Sequence, residues 1–320
     1  MTVIQMLLNV ALPPLSLILM SAFMPPLLLF KLLMYVKNLV HTENMARKVV
    51  LITGAASGIG EQLAYEYARR GAMLSLVDIR KDNLVAVADK VRSLGSPEAI
   101  IIGADVSKVQ DCKRFVHETV NYFGRLDHLV NNAGIGNSLA RLEDWREGFE
   151  LFPIMDVNFW GAVYGTLYAI PHLKMSKGRI IVVASGCGWF PLPRMSIYNA
   201  SKAAVISFFE TLRIEIGRSI GVTIATPGLV KTDLALRAIK NESTLGRIPL
   251  ESASECAKGI VESACRGDRY VTNPSWFKVM FPWKVLYPQV VDWACRFVFG
   301  LFPNMKGDVH LSTKLENKAE

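Results

Sequence analysis

Tyr198-Asn-Ala-Ser-Lys202 sets a phenol and an ammonium four residues apart. On a helix, residues at that spacing emerge on one face. A free phenol has a pKa of about 10, too high for easy proton exchange at neutral pH. A neighbouring ammonium favours the phenolate and moves that value down. The pair would then serve as a general acid and base for a carbonyl or an alcohol. Alone, the spacing describes a surface helix pair equally well, so its company decides. Ser185 stands at the end of the apolar run before it, and its hydroxyl can hydrogen-bond an oxygen where charge develops. Asn131-Asn132-Ala133-Gly134 closes an earlier apolar run, and Asn158 lies in the helical stretch that follows.

A second group of residues suits a dinucleotide. Thr53-Gly54-Ala55-Ala56-Ser57-Gly58-Ile59-Gly60 follows the first apolar run and opens a helix. Glycine is needed where a chain turns tightly and where a pyrophosphate must approach the backbone. The helix start adds unpaired N–H groups and a positive dipole end. Asp78 closes the second apolar run. A carboxylate there accepts hydrogen bonds from the ribose hydroxyls of NAD and repels the 2′-phosphate of NADP. The plainer alternative is an Asp that starts a turn. Arg80 follows two residues later and softens the discrimination, so NAD is favoured and NADP stays open.

These side chains need a scaffold, and the hydrophobic pattern supplies one. Short apolar runs at 49–52, 73–77, 99–102, 126–130, 179–184, 222–225 and 269–272 read as strands. Amphipathic stretches at 59–70, 81–92, 108–122, 157–169, 196–216 and 252–265 read as helices between them. That alternation predicts an α/β fold, a doubly wound parallel sheet of Rossmann type. Most of the polar groups above fall at the carboxyl ends of strands, where open α/β sheets bind ligands.

Taken in order, TGxxxGxG, Asp78, Asp105-Val106, NNAG, Asn158, Ser185, YxxxK and Pro227-Gly228 with Thr232 resemble the short-chain dehydrogenase/reductase family. The resemblance spans about 48–273. It implies an NAD(P)-dependent oxidoreductase with a tetrad of Asn158, Ser185, Tyr198 and Lys202. In it Tyr198 transfers the proton and Ser185 positions the substrate oxygen. Lys202 lowers the Tyr pKa and binds the nicotinamide ribose, and Asn158 holds a water of the proton relay. The implied cofactor contacts are Gly54, Ser57, Gly58, Ile59 and Gly60 in the phosphate loop, then Asp78 and Arg80. Asp105 with Val106 is expected near the adenine, Asn132 near a ribose, and Thr232 near the carboxamide. No metal is implied. Gly186-Cys187-Gly188 is richer in glycine than the family pattern, which bears on the stiffness of the substrate loop.

The proline-interrupted N-terminus, Asn158-Phe-Trp-Gly161, the YNASK pentad and Tyr270-Val-Thr-Asn-Pro-Ser-Trp-Phe-Lys278 are similar to the plant steroleosins. These are also called 11-beta-hydroxysteroid-dehydrogenase-like proteins. That similarity implies a sterol-type hydroxyl or ketone as substrate, an oil-body or endoplasmic-reticulum surface, and a homodimer. Members of the group that prefer NADP carry a small residue and then Arg after the second strand, and Asp78-Ile79 departs from this.

Composition agrees with a lipid surface. The chain has 320 residues, 51% of them hydrophobic and 20% charged, with a mean hydropathy of +0.27. That excludes a disordered chain, and five scattered cysteines exclude a disulfide scaffold. The net charge of +8 comes without a dense basic run, which favours anionic headgroups over nucleic acid. Met1 to Phe30 carry no charged side chain. Two proline pairs, Pro13-Pro14 and Pro25-Pro26, disfavour an unbroken helix there. The piece between the pairs is about 15 Å of helix, half of a roughly 30 Å hydrocarbon core. A hairpin anchor and a single kinked span both fit. Lys31, Lys37, Arg47 and Lys48 follow the segment, so the rest of the chain is expected in the cytosol.

The expected organisation is an anchor at 1–36, a catalytic domain at 47–273, an aromatic segment at 274–303 and a polar tail at 304–320. The aromatic segment reads as a lid or as a membrane-interface element. Leu234, Leu236, Ile239 and Leu245 suit either an apolar ligand or an ordinary packed lid. Two alternatives accompany the sterol reading. One is a lipid-droplet coat protein that binds nucleotide without turnover, for which a decayed tetrad would be expected. The other keeps the chemistry on a retinoid, sphingoid or fatty-acyl substrate.

Overall fold

The computed structural model describes residues 3–40, 42–136, 140–144 and 152–301. It divides into two compact units, Met1–Glu43 and Asn44–Glu320. The expected tail at 304–320, and residues 137–139 and 145–151, lie outside the described residues.

The first unit is one helix, α1 (Val3–Val40), of 38 residues. Its span Ile4–Leu33 is long and apolar enough to cross a membrane and has no buried residue. Both proline pairs lie inside it. This corrects the expectation of an interruption and removes the hairpin alternative, since a continuous helix does not double back. Proline fixes φ near the helical value, so its cost is the missing donor and a clash one turn back. Apolar spans tolerate that cost because freed carbonyls find other donors.

The second unit is built on a seven-stranded sheet, ordered β3-β2-β1-β4-β5-β6-β9. All its neighbours run parallel. The strands are β1 (Val49–Thr53), β2 (Met73–Asp78), β3 (Ala99–Gly103), β4 (His128–Asn131), β5 (Arg179–Val183), β6 (Gly221–Ala225) and β9 (Tyr270–Val271). Helices α2 (Gly58–Arg69), α3 (Lys81–Ser93), α4 (Val109–Phe123), α6 (Gly161–Ser176), α7 (Ser196–Ile216) and α9 (Ala253–Arg266) cover its faces. A short α5 (Phe152–Met155) and a π-helical turn, Asp156–Trp160, lead into α6.

Each strand is apolar on both faces because each face meets a helical layer. In β1, Val50 and Ile52 join one core cluster while Val49 and Leu51 join the other, as the two-residue period of a strand requires. The order reverses between β2 and β4 on either side of β1. That switch opens the crevice where such sheets hold ligands.

Beyond the expected elements lie a two-stranded pair, β7 (Val230–Lys231) and β8 (Glu251–Ser252), and α8 (Asp233–Asn241). Helices α10 (Met280–Leu286) and α11 (Pro288–Val298) close the described chain, after a 3-10 turn at Ser275–Val279.

Candidate active site

The loop from β1 to α2 forms one wall. Gly54 and Gly58 adopt φ of 68° and 61°, which favours glycine at both. A Cβ on Gly54 would lie 2.8 Å from the Ala133 Cα, so the loop after β4 packs directly on it. Asn132 fastens this contact. Its amide nitrogen donates to the Thr53 and Gly54 carbonyls at 3.0 and 3.1 Å. The structure therefore uses that nitrogen to hold the glycine turn. Ser57 stands at the α2 N-cap without a side-chain capping bond, which leaves first-turn N–H groups for an anion. Gly58, Ile59 and Gly60 form that first turn. A Cβ on Gly58 would meet the Thr232 Cγ2 at 3.2 Å, so Thr232, the N-cap of α8, faces the turn.

Asp78 ends β2 and is buried. One carboxylate oxygen accepts from the Ala56 N–H at 3.1 Å, and the other from the Arg80 N–H at 3.0 Å. The Arg80 guanidinium pairs with Asp78 at 3.1 Å and reaches Ser57 Oγ at 2.8 Å. Arg80 remains half exposed. Asp105, after β3, turns its carboxylate onto the N–H and hydroxyl of Ser107. Val106 is buried against Gly161.

Asn158 sits in the π-helical turn, where one extra residue re-aims the chain. Its Oδ1 accepts from the Ile135 N–H at 2.8 Å. Its Nδ2 donates to the Ile135 carbonyl and to Ser201 Oγ, each at 3.0 Å. Ser201 donates in turn to the Tyr198 carbonyl at 2.8 Å. Asn158 thus bolts the β4 loop to α7.

Tyr198 and Lys202 lie on the buried stripe of α7 with Val205, Phe209 and Leu212. Their helical spacing carries both into the protein, at 8% and 4% exposure. Lys202 Nζ donates to the Val183 carbonyl at 3.2 Å and stands 5.8 Å from the Tyr198 ring centroid. Ser185, just past β5, accepts from the Cys187 N–H at 3.2 Å, donates to the Pro227 carbonyl at 3.4 Å, and lies near enough to the Tyr198 phenol to bear on its ionisation. Ser185, Tyr198 and Lys202 therefore converge at the carboxyl end of β5.

The ionisation differs from the sequence expectation. Burial raises the Tyr198 phenol above its ordinary value, the Cys187 sulfur adds to this, and the nearby Ser185 hydroxyl only partly opposes it. Burial also lowers Lys202 from 10.5 to about 8. The expected drop in the Tyr pKa is thus reversed in the protein alone, because desolvation penalises both charged forms. A protonated phenol beside a serine hydroxyl is a ready donor to a carbonyl oxygen.

Sequence reasoning missed Cys187, which faces Ser185, Tyr198 and Lys202. It also missed Ser201, although its spacing from Tyr198 is helical. The glycines around Cys187 are packing glycines. A Cβ on Gly188 would lie 2.6 Å from Ile206, and one on Gly186 would lie 2.2 Å from Phe277. The loop is therefore pinned, which answers the question of its stiffness. Gly186→Ala is expected to destabilise the protein by about 1–3 kcal/mol through overpacking. Combining it with Phe277→Ala should recover part of the loss in thermal unfolding, since the clash partner is then gone.

Arg194 and Glu242 form an ion pair that ties the loop after β5 to the end of α8. In that α8 region Leu245 is buried, while Leu234 and Leu236 stay exposed.

The glycine cradle, the free helix start and the Ser–Tyr–Lys cluster define an NAD(P)-dependent dehydrogenase/reductase. When bound, the nicotinamide supplies or takes up the hydride. The family model "short chain dehydrogenase" matches residues 48–243, and the chain belongs to that family. It is 45% identical to 11-beta-hydroxysteroid dehydrogenase 1A of Arabidopsis thaliana, over 98% of this chain and 93% of that protein. It is 51% identical to 11-beta-hydroxysteroid dehydrogenase-like 4A of the same plant, over 88% of this chain and 95% of that one. Among solved structures, a short chain dehydrogenase/reductase from Burkholderia phymatum in complex with NAD superposes with a TM-score of 0.70 at 24% identity. That match covers 77% of this chain and 96% of the other, and it speaks for the fold.

Proposed function

We propose that the protein is a membrane-anchored oxidoreductase that moves a hydride between NAD(P) and a lipophilic hydroxyl or ketone, a hydroxysteroid or sterol. The observation that carries this is the convergence of Ser185, Tyr198 and Lys202 at a loop covered by the Phe277 ring, with Trp189 and Phe190 against it. Tyr198 exchanges the proton with the substrate oxygen, and Ser185 holds that oxygen. Lys202 binds the nicotinamide ribose, and Asn158 positions a relay water. The phosphate loop 54–60 takes the pyrophosphate at the start of α2. Asp105, Val106 and Thr232 line the adenine and carboxamide ends. The relatives named 11-beta-hydroxysteroid dehydrogenase support the substrate class. A steady-state panel of sterols and other lipophilic alcohols tests it, and turnover confined to retinoid, sphingoid or acyl substrates would reject it.

The uncharged helix α1 serves as the anchor. The cations after its apolar span keep the catalytic unit in the cytosol. The enzyme then works as a homodimer at the endoplasmic reticulum or on lipid droplets.

NAD is the preferred cofactor. The buried Asp78 carboxylate accepts from a ribose hydroxyl and repels a 2′-phosphate, and Arg80 is already engaged by Asp78 and Ser57. Asp78→Ala should remove the repulsion and release Arg80. The ratio of kcat/KM for NADP over NAD is expected to rise about tenfold or more, roughly 1.4 kcal/mol. Wild-type protein that uses NADP at least as well as NAD would overturn this reading.

A further inference from the structure

We propose that residues 275–298 form a docking surface for an anionic phospholipid layer, joined through Phe277 to the loop that carries Ser185. An apolar substrate then reaches the site from the lipid side. This rests on the lipophilic substrate proposed above.

The outward side comes first. Trp276, Phe281, Trp283, Leu286, Trp293 and Phe297 are all exposed, from 47% at Trp283 to 67% at Leu286. Helix α10 buries none of its residues, and α11 buries only Val291. Trp293 stacks on Phe297 at 5.5 Å, and Trp283 lies against Tyr287 at 5.6 Å, so these rings pair with each other and still face outward. A large apolar side chain left in water forgoes the gain of burial. So many exposed apolar side chains within one short segment mark an interaction surface.

Charge and length select the occupant. Lys278, Lys284 and Arg296 accompany the rings, against a single acid, Asp292. A second copy of the segment would bring like charges together, whereas anionic headgroups complement them. Indole and phenol rings with flanking cations suit the headgroup level. Helices α10 and α11 have 7 and 11 residues, about 10 and 17 Å. Neither crosses a hydrocarbon core of about 30 Å, so both lie along the surface.

The inward side reaches the chemistry. The Phe277 ring covers Gly186, the residue after Ser185, so closely that a Cβ there would lie 2.2 Å from it. Phe277 meets Trp189 at 4.9 Å, and Phe281 meets Trp189 at 5.6 Å. One cluster therefore runs from the exposed rings to the catalytic loop.

The tryptophan positions make the test clean. All six lie at 145, 160, 189, 276, 283 and 293, so none belongs to α1 and its insertion is silent in tryptophan emission. The full chain is reconstituted into phosphatidylcholine–phosphatidylserine vesicles, with and without brominated acyl chains. Brominated lipid is expected to quench the emission, and replacing Trp276, Trp283 and Trp293 together by Phe should remove most of that quenching. An unquenched wild type, or quenching that this triple variant keeps, overturns the proposal. A doubled mass in sedimentation that this variant loses, without quenching of the wild type, assigns the surface to a second copy and overturns the proposal as well. In a parallel assay, Trp283→Ser with Trp293→Ser should lower kcat/KM severalfold for a vesicle-borne sterol. It should leave kcat/KM for a short water-soluble alcohol unchanged. Equal loss on both substrates overturns the link to substrate supply. Absence of all turnover in the wild type counts against the proposed function instead, while quenching still reports docking.

Discussion

Replacing Tyr198 by Phe is expected to abolish turnover while the protein still binds its cofactor. The substitution removes one oxygen and keeps the ring that fills the buried stripe of α7. General acid–base catalysis by a positioned side chain contributes about 10²–10⁴-fold, and kcat should fall by that much. In the proposed role the substrate oxygen is then held by the Ser185 hydroxyl alone, in place of two hydroxyls. The phosphate loop and Asp78 form their contacts without the phenol. NADH binding, read by fluorescence transfer, should therefore stay near the wild-type value. Steady-state oxidation and reduction of the same sterol panel check the first half. Unchanged turnover would reject the role, and lost binding would show that the hydroxyl supports the fold. The coat-protein alternative predicts no difference between variant and wild type, because neither would turn over.

Much of this site was legible before any coordinates. The apolar runs that became β1 to β6 are long enough and pure enough to read as strands, and most of the polar residues sit where those strands end. That Tyr198 and Lys202 share a helix face was legible too, and Val205, Phe209 and Leu212 continue that face into the core. Burial, however, carries an electrostatic consequence that spacing alone hides. Two charged forms drawn into the same dry region are both penalised, so proximity to Lys202 does not lower the phenol in the unliganded protein.

Other features rest on contacts far apart in the chain. The π-helical turn at Asn158 is held by Ile135 and Ser201, on two different elements. No local propensity encodes it. Gly186 looked like a source of looseness until Phe277 was found against it. The proline pairs misled for a different reason. The rule that prolines end helices is calibrated in water, whereas α1 is apolar along almost its whole length.

Lys202→Met is expected to inactivate the enzyme and to stabilise it. The ammonium is buried at 4% exposure, and its pKa falls from 10.5 to about 8. The folded state therefore releases the proton more readily than the unfolded chain. Below pH 8 both states are charged and the folded state carries the full penalty. Between pH 8 and 10.5 the unfolded chain binds more protons, so stability rises with pH. Above 10.5 both are neutral and the penalty is gone. The shift amounts to about 3 kcal/mol at neutral pH. Met keeps most of the side-chain volume but loses the bond to the Val183 carbonyl, which costs about 1 kcal/mol. A net gain of about 2 kcal/mol remains, which is several degrees in Tm for a unit of this size. Thermal unfolding of the full chain in mild detergent, at pH 7 and at pH 10, checks it. The variant should unfold later than wild type at pH 7, and the gap should shrink at the higher pH. Activity moves the other way. In the proposed role Lys202 gives charge-assisted hydrogen bonds to the nicotinamide ribose, each worth about 1.5–3 kcal/mol. Losing them should cost kcat/KM about 10²-fold or more. A variant that is both less active and less stable at pH 7 would mean that the ammonium is a structural pin, with Val183 as its real partner. The expected pairing of higher stability with lost turnover is the mark of a charge kept in a dry site for chemistry.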